Sequence, residues 1–278
     1  METPSRVRSA SPLWATLVAF GLAVFGIVAT QFTTLPAIFL EPALIESPGD
    51  TSIGARALLM TLNFLGFALA GAIYLAATDR GWSYVDLRMP TKRGWLYVLA
   101  GIVGSLVFYF LVSILIQLLS LPATDNQVMQ YIAGDQTMIL VMILIVFFFN
   151  APAEEFLFRN VIQKRLYEAF SRFQAVLVAS AIFALIHFPV YLAASGDPLA
   201  IGPSDLLATT VPLVVVFGGS VIFGYVYAKT DNLVVPTAAH AAFNAFQFGL
   251  VYLALEFDLE TGEPVQSLLV DLLAVVPV

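Results

Sequence analysis

Seven stretches without a single charged residue dominate this sequence. They lie between Arg8 and Glu41, Arg56 and Asp79, Arg93 and Asp125, Asp135 and Glu154, Arg172 and Asp197, Asp205 and Lys229, and Asp231 and Glu256, and each holds at least 18 residues. A bilayer core about 30 Å thick is crossed by about 20 apolar residues rising 1.5 Å each. Lipid offers backbone groups no partners, so the segments must satisfy their own N–H and C=O groups as helices. The alternation of a membrane β-barrel is absent. Composition agrees: 60% of the 278 residues are hydrophobic and 11% charged, against about 25% charged in a soluble chain. The sequence therefore predicts an all-α fold, a polytopic transmembrane helical bundle of seven to eight spans forming one integral membrane domain over residues 1–278. Spans are expected near 13–35, 57–78, 95–119, 137–153, 174–194, 206–228 and 233–255. The first is too long for a signal h-region and lacks a small-residue cleavage site, so it is expected to stay as a span. The apolar tail 264–278 contains Asp271 and is expected to be interfacial or re-entrant.

Charge divides the connections into two sets. With a cytoplasmic N-terminus carrying Arg6 and Arg8, one side receives eleven of the twelve cations, among them Arg80, Arg88, Lys92, Arg93, Lys164, Arg165, Arg172 and Lys229. The other receives Arg56 and most of the acids, including Glu41, Glu46, Asp50, Asp135, Asp205 and Glu256. The positive-inside rule thus predicts an integral protein of the plasma (cell) membrane with its N-terminus in the cytoplasm. No basic stripe lies outside the short loops, which argues against nucleic acid as a partner and leaves the lipid bilayer. Between Arg159 and Arg172, apolar and polar residues alternate near helical period, and this segment is expected to lie along the inner surface with a basic face.

Chemistry-bearing residues gather in the second half. Glu154 and Glu155 end the fourth charge-free stretch, and Glu155 stands four residues before Arg159, the spacing at which an acid and a base meet on one helical face. Glu154 is turned about 100° away and is free to face elsewhere. His187 and His240 are the two histidines of the chain, and both lie in apolar segments. Asn244 stands one turn after His240. Polar side chains inside a membrane helix require partners or a function. Helix-to-helix adhesion is the plainer reading for each alone, as for Asn63 and Gln117. Together they supply base, donor and oxyanion-binding groups on three helices. Two imidazoles and a carboxylate are also the ligand types of a catalytic zinc, although the compact His-Glu-x-x-His pattern is missing. Nucleophilic routes find less support. There is no cysteine, and neither Ser180 nor Ser220 sits in Gly-x-Ser-x-Gly.

Glu154-Glu155-x-x-x-Arg159, Phe183-x-x-x-His187 and His240-x-x-x-Asn244 together resemble the three ordered motifs of the CPBP family (CAAX proteases and bacteriocin-processing enzymes), the type II CAAX prenyl endopeptidase-like intramembrane proteases. The resemblance covers about residues 140–250, which would form the peptidase core. It implies Glu154 as the general base that activates water, His187 as a holder of that water, and His240 and Asn244 as the oxyanion site. Glu155 and Arg159 would support the geometry. Two mechanisms stay open: a glutamate-dependent peptidase without cofactor, and a zinc metalloprotease. Two departures are visible. Asn160 stands where a glycine often follows the arginine, and seven spans are found where eight are common.

The expected function is an intramembrane endopeptidase cutting a peptide bond of a membrane-associated or membrane-embedded protein near the cytoplasmic face. The competing readings are a catalytically inactive membrane binding or immunity protein of the same fold, and a proton-linked transporter using the acids and histidines as a relay. The transporter predicts inverted repeats, and none is visible in the sequence.

Overall fold

The computed structural model describes residues 11–124, 128–195 and 202–257. Among them every regular element is helical. Seven helices are long and apolar enough to cross a membrane: α1 Pro12–Leu40, α2 Ile53–Ala77, α3 Lys92–Leu118, α4 Gln136–Leu166, α5 Arg172–Ser195, α6 Pro203–Thr230 and α7 Val234–Glu256. The protein is an integral membrane protein built as a polytopic helical bundle. Five of the seven expected spans grow by a few residues and the last shifts by one, while α4 extends well past residue 153. The tail 264–278 lies outside the described residues.

Local chemistry sets where the helices begin. Ser11, Ser52 and Thr91 precede α1, α2 and α3, and each side-chain oxygen accepts the N–H of the residue three positions on. Asp135 caps α4 by accepting from Thr137 and Met138. Such caps satisfy donors that a helix start leaves open. Burial opposes the charged form of Asp135, yet these two N–H bonds and Arg56 hold its carboxyl below the usual range.

Helix pairing follows the small residues. The buried face of α1 reads Ala15, Ala19, Ala23 and Gly26, one small residue per turn. This lets α1 and α2 approach closely, as membrane helices do when no hydrophobic force separates them from lipid. A Cβ on Gly66 of α2 would lie 2.5 Å from the Thr30 Cα of α1, so only hydrogen fits there. Large apolar side chains such as Phe20, Leu99, Leu144 and Phe148 remain on the outside, the face a bilayer covers.

Among the described residues, the loop charges of the two sets occupy opposite ends of the bundle, and each end is tied to itself. At the basic end Lys164 pairs with Asp86, Arg172 with Asp231, and Arg80 with Glu168. Tyr84, packed against Arg80 and Lys164 there, has its phenol pushed up to about 12, chiefly by burial. At the acidic end Arg56 pairs with Asp135, and Gln136 donates to Glu256.

The segment after Arg159 departs from expectation. It does continue the glutamate helix, but it does not lie along a surface. Arg159, Asn160 and Gln163 are fully buried. Their partners come from distant parts of the chain: Ser220, Tyr227 and the Gly224 carbonyl. Gln117, expected as helix-to-helix glue, is exposed.

Candidate active site

The glutamates sit between two widened turns of α4. Residues Val146–Asn150 and Phe156–Gln163 are π-helical. The Ala151 N–H reaches back five residues to the Val146 carbonyl, and the Lys164 N–H reaches the Arg159 carbonyl. Pro152 lies between them and has no N–H to give the Phe148 carbonyl, which loosens the regular ladder at that point. Wide turns of this kind occur often at functional sites. Here they turn Asn150, Glu154, Glu155 and Arg159 all toward the interior.

A continuous chain of hydrogen bonds joins α4 to α7. The Asn150 amide donates to Glu154 Oε1 at 2.9 Å. Asn244 donates to Asn150 Oδ1 at 3.0 Å, and its second N–H meets His240 Nε2 at 3.1 Å. His240 Nδ1 lies 2.9 Å from Glu155 Oε1. Arg159 Nε donates to Glu155 Oε2 at 2.8 Å, and its Nη2 donates to Ser220 at 3.0 Å. The direction of every bond follows from the two carboxylates. An ionised carboxylate only accepts, so Asn150 must turn its NH₂ to Glu154 and its oxygen to Asn244. Asn244 then offers N–H to His240 Nε2, which must carry a lone pair. The ring proton therefore sits on Nδ1, facing Glu155. His240 is thereby held as one neutral tautomer, its Nε2 3.8 Å from Glu154 Oε2. Phe223 stacks on its ring at 4.9 Å between centroids.

His187 joins from α5. Its Nδ1 donates to the Phe183 carbonyl at 2.7 Å, the bond that fixes tautomer and leaves Nε2 as acceptor. It is partly open, while Glu154, Glu155, Arg159 and His240 are buried.

These groups end a cavity of about 680 Å³. Glu154, His187, His240 and Asn244 all line it, together with Asn150. So does Asn63, expected as glue, whose side chain bonds no protein group among the described residues. From the cluster the cavity runs to the acidic end, where Leu44, Ile45, Met129 and Tyr131 line it. The cluster itself lies nearer the basic end, His240 standing six residues into α7 and sixteen before its end.

Sequence reasoning missed Asn150 and the anchoring role of Ser220. Asn150 carried a usable signal, since it stands four residues before Glu154. Ser220 carried none, because its contact with Arg159 is set by the packing of α6 against α4.

The groups present do not fit zinc. Among the described residues no three His, Asp or Glu side chains are grouped to hold a metal ion. The Nε2 lone pair of His240 is taken by Asn244, and Glu154 Oε1 by Asn150.

No curated protein and no solved structure matches the chain with significant similarity. The family model that matches is that of the Rce1-like type II CAAX prenyl endopeptidases, over residues 136–246, the stretch that carries every residue of this cluster.

Proposed function

We propose that the protein is an intramembrane endopeptidase that hydrolyses a peptide bond with a glutamate-activated water. The observation that carries this reading is the directed hydrogen-bond chain at the closed end of the cavity. It joins a carboxylate base to carboxamide and imidazole groups suited to an oxyanion. Glu154 takes a proton from water held against His187 Nε2, and the hydroxide attacks the carbonyl carbon. The protonated Glu154 no longer needs the Asn150 amide. Asn244 is then free to turn its N–H to the oxyanion, beside His240. Glu154 returns the proton to the leaving nitrogen as the C–N bond breaks, giving a carboxylate and an amine. Glu155 and Arg159 hold His240 in place. In this proposal residues 140–250 are the peptidase core of a single membrane domain. The family's name points to prenylated CAAX proteins, but no residue of the lining selects a prenyl chain over another apolar segment. We assign the substrate as a membrane-associated peptide.

The test is a comparison of membrane-protein fragments in cells carrying wild type and Glu154→Gln. Fragments unique to wild type support the peptidase and identify its substrates. Identical patterns favour an inactive relative. Because the donors are already committed within the chain, chelator-stripped enzyme should keep its activity. Loss on chelation with recovery on added zinc would support the metal route.

Asn244→Ala should lower turnover roughly a hundred- to thousandfold, the usual effect of one lost oxyanion donor, about 2.7–4 kcal/mol. The Michaelis constant should stay nearly constant, because the bond is made after attack begins. A polar contact that only joins membrane helices averages about 0.6 kcal/mol and would move the melting temperature instead. A destabilised but fully active variant would remove Asn244 from the site.

The orientation we propose, in the plasma membrane with a cytoplasmic N-terminus, is tested in this cysteine-free chain by Ser47→Cys and Ser83→Cys. An impermeant thiol reagent on intact cells should label position 47 and spare 83. The reverse pattern inverts the topology.

A further inference from the structure

One end of the cavity is closed. Toward the basic end it stops at Glu154, Phe223 and His240, and none of its lining comes from residues 155–182 or 224–239. The floor beyond is solid. Leu157, Phe158, Arg159, Gln163 and Tyr227 have no exposed surface. A Cβ on Gly224 would come within 2.7 Å of Gln163 Oε1, so α6 and α4 touch there without a gap. Nothing reaches Glu154 from the basic end without unpacking this layer.

Toward the acidic end the lining changes character. Asn63 lies ten residues into α2 and Gln247 nine residues before the end of α7, so at 1.5 Å per residue both sit roughly 14–15 Å from the acidic rim. Both side chains line the cavity, and neither bonds a protein group among the described residues. Gln247 stands one turn beyond Asn244, on the continuation of the face that carries His240. A carboxamide offers one donor and one acceptor end, the complement of a peptide unit's C=O and N–H. Unpaired carboxamides inside a bilayer are costly unless something meets them. Apolar neighbours, Met60, Met142 and Val251, supply the complement of apolar side chains. About 10.5 Å of helix separates His240 from Gln247, the length of about three extended residues.

We propose that this chamber is the substrate cleft, entered from the acidic-loop face, and that Asn63 and Gln247 hold the backbone of an extended peptide about three residues from the scissile bond. The cleft rests on the peptidase reading; the side of entry does not. With the orientation proposed above, the enzyme takes its substrate from the extracytoplasmic half of the membrane.

Single cysteines test the side of entry without any substrate. Asn63→Cys and Gln247→Cys should react with a membrane-impermeant methanethiosulfonate cation from whichever side labels Ser47→Cys. Reaction from the side that labels Ser83→Cys, or at neither position from either side, overturns the proposed entry. The second arm reads the fragments that distinguish wild type from Glu154→Gln. The same reagent on cells carrying Gln247→Cys should stop their release. Asn63→Leu and Gln247→Leu keep bulk and lose both hydrogen-bonding ends, and each should slow release several-fold at unchanged melting temperature. Full-rate release by both leucine variants overturns the backbone role. If wild type gives no such fragments, the peptidase reading fails, and with it the cleft, while the labelling still reports the entry.

Discussion

Glu154→Gln should reduce turnover to near background in a protein that still inserts and folds. Glutamine keeps the shape of the side chain and still accepts the Asn150 N–H at its Oε1. What it loses is the capacity to take a proton. A positioned general base contributes roughly a hundred- to ten-thousandfold, and no neighbour replaces it in full. Glu155 is 2.8 Å from Arg159 and held by His240, so its lone pairs are committed. His187 has its Nδ1 on the Phe183 carbonyl and an open Nε2, so a small residual rate from it sets the background. The measurement is single-turnover cleavage of a substrate identified by the fragment comparison, with melting temperature followed alongside. An active Glu154→Gln enzyme would remove the general-base role. Retained activity in Glu155→Gln would not, since that residue acts through His240.

Arg159→Met should be the most damaging single change to stability. Arg159 and Glu155 are both fully buried and paired. Removing one member of a buried pair strands the other, at a cost of about 3–5 kcal/mol. Glu155 would keep only the His240 N–H, and Ser220 would lose its donor. The double variant Glu155→Met/Arg159→Met discriminates between this account and simple loss of packing. Apolar replacement of a whole buried pair is often neutral or better, so the double variant should melt near wild type. Its turnover should stay low, because His240 has lost the acceptor that fixes its tautomer. Additive destabilisation in the double variant would show that packing, not the stranded charge, governs the loss.

The spans were legible because charge is so costly in lipid that its absence marks each helix. The pairs Glu155–Arg159 and His240–Asn244 were legible for a similar reason. Four-residue spacing on one helix makes a contact readable without knowing the fold. The pairings of Arg159 with Ser220 and of Asn160 with Tyr227 span more than sixty residues, and no local pattern encodes them. That is why the stretch after Arg159 read as a surface helix. Its polar residues looked solvated when they were in fact paired across the bundle. Asn63 was misread in the opposite direction: a polar side chain in a span implied a helix partner, and it faces a cavity instead. The side on which that cavity opens was not legible at all, because it depends on which helix ends splay.

The two wide turns of α4 give that helix a rotational offset that its outward appearance conceals. Leu140, Leu144 and Phe148 run down one side at regular intervals and stay exposed, as a uniform cylinder would present them. Below them the numbering slips relative to the face. A single-residue deletion inside the regular turn Ala151–Glu155 between the two wide turns would leave the length and hydropathy of the span almost unchanged. It would turn Asn150 and everything before it by about 100° relative to Glu154. The deletion would carry Asn150 out of register with Glu154 while the helix remained whole. Helix α4 thus works as a phase-setting shaft, and the mutations most harmful to it are those that change its residue count, even where every side chain they touch is apolar.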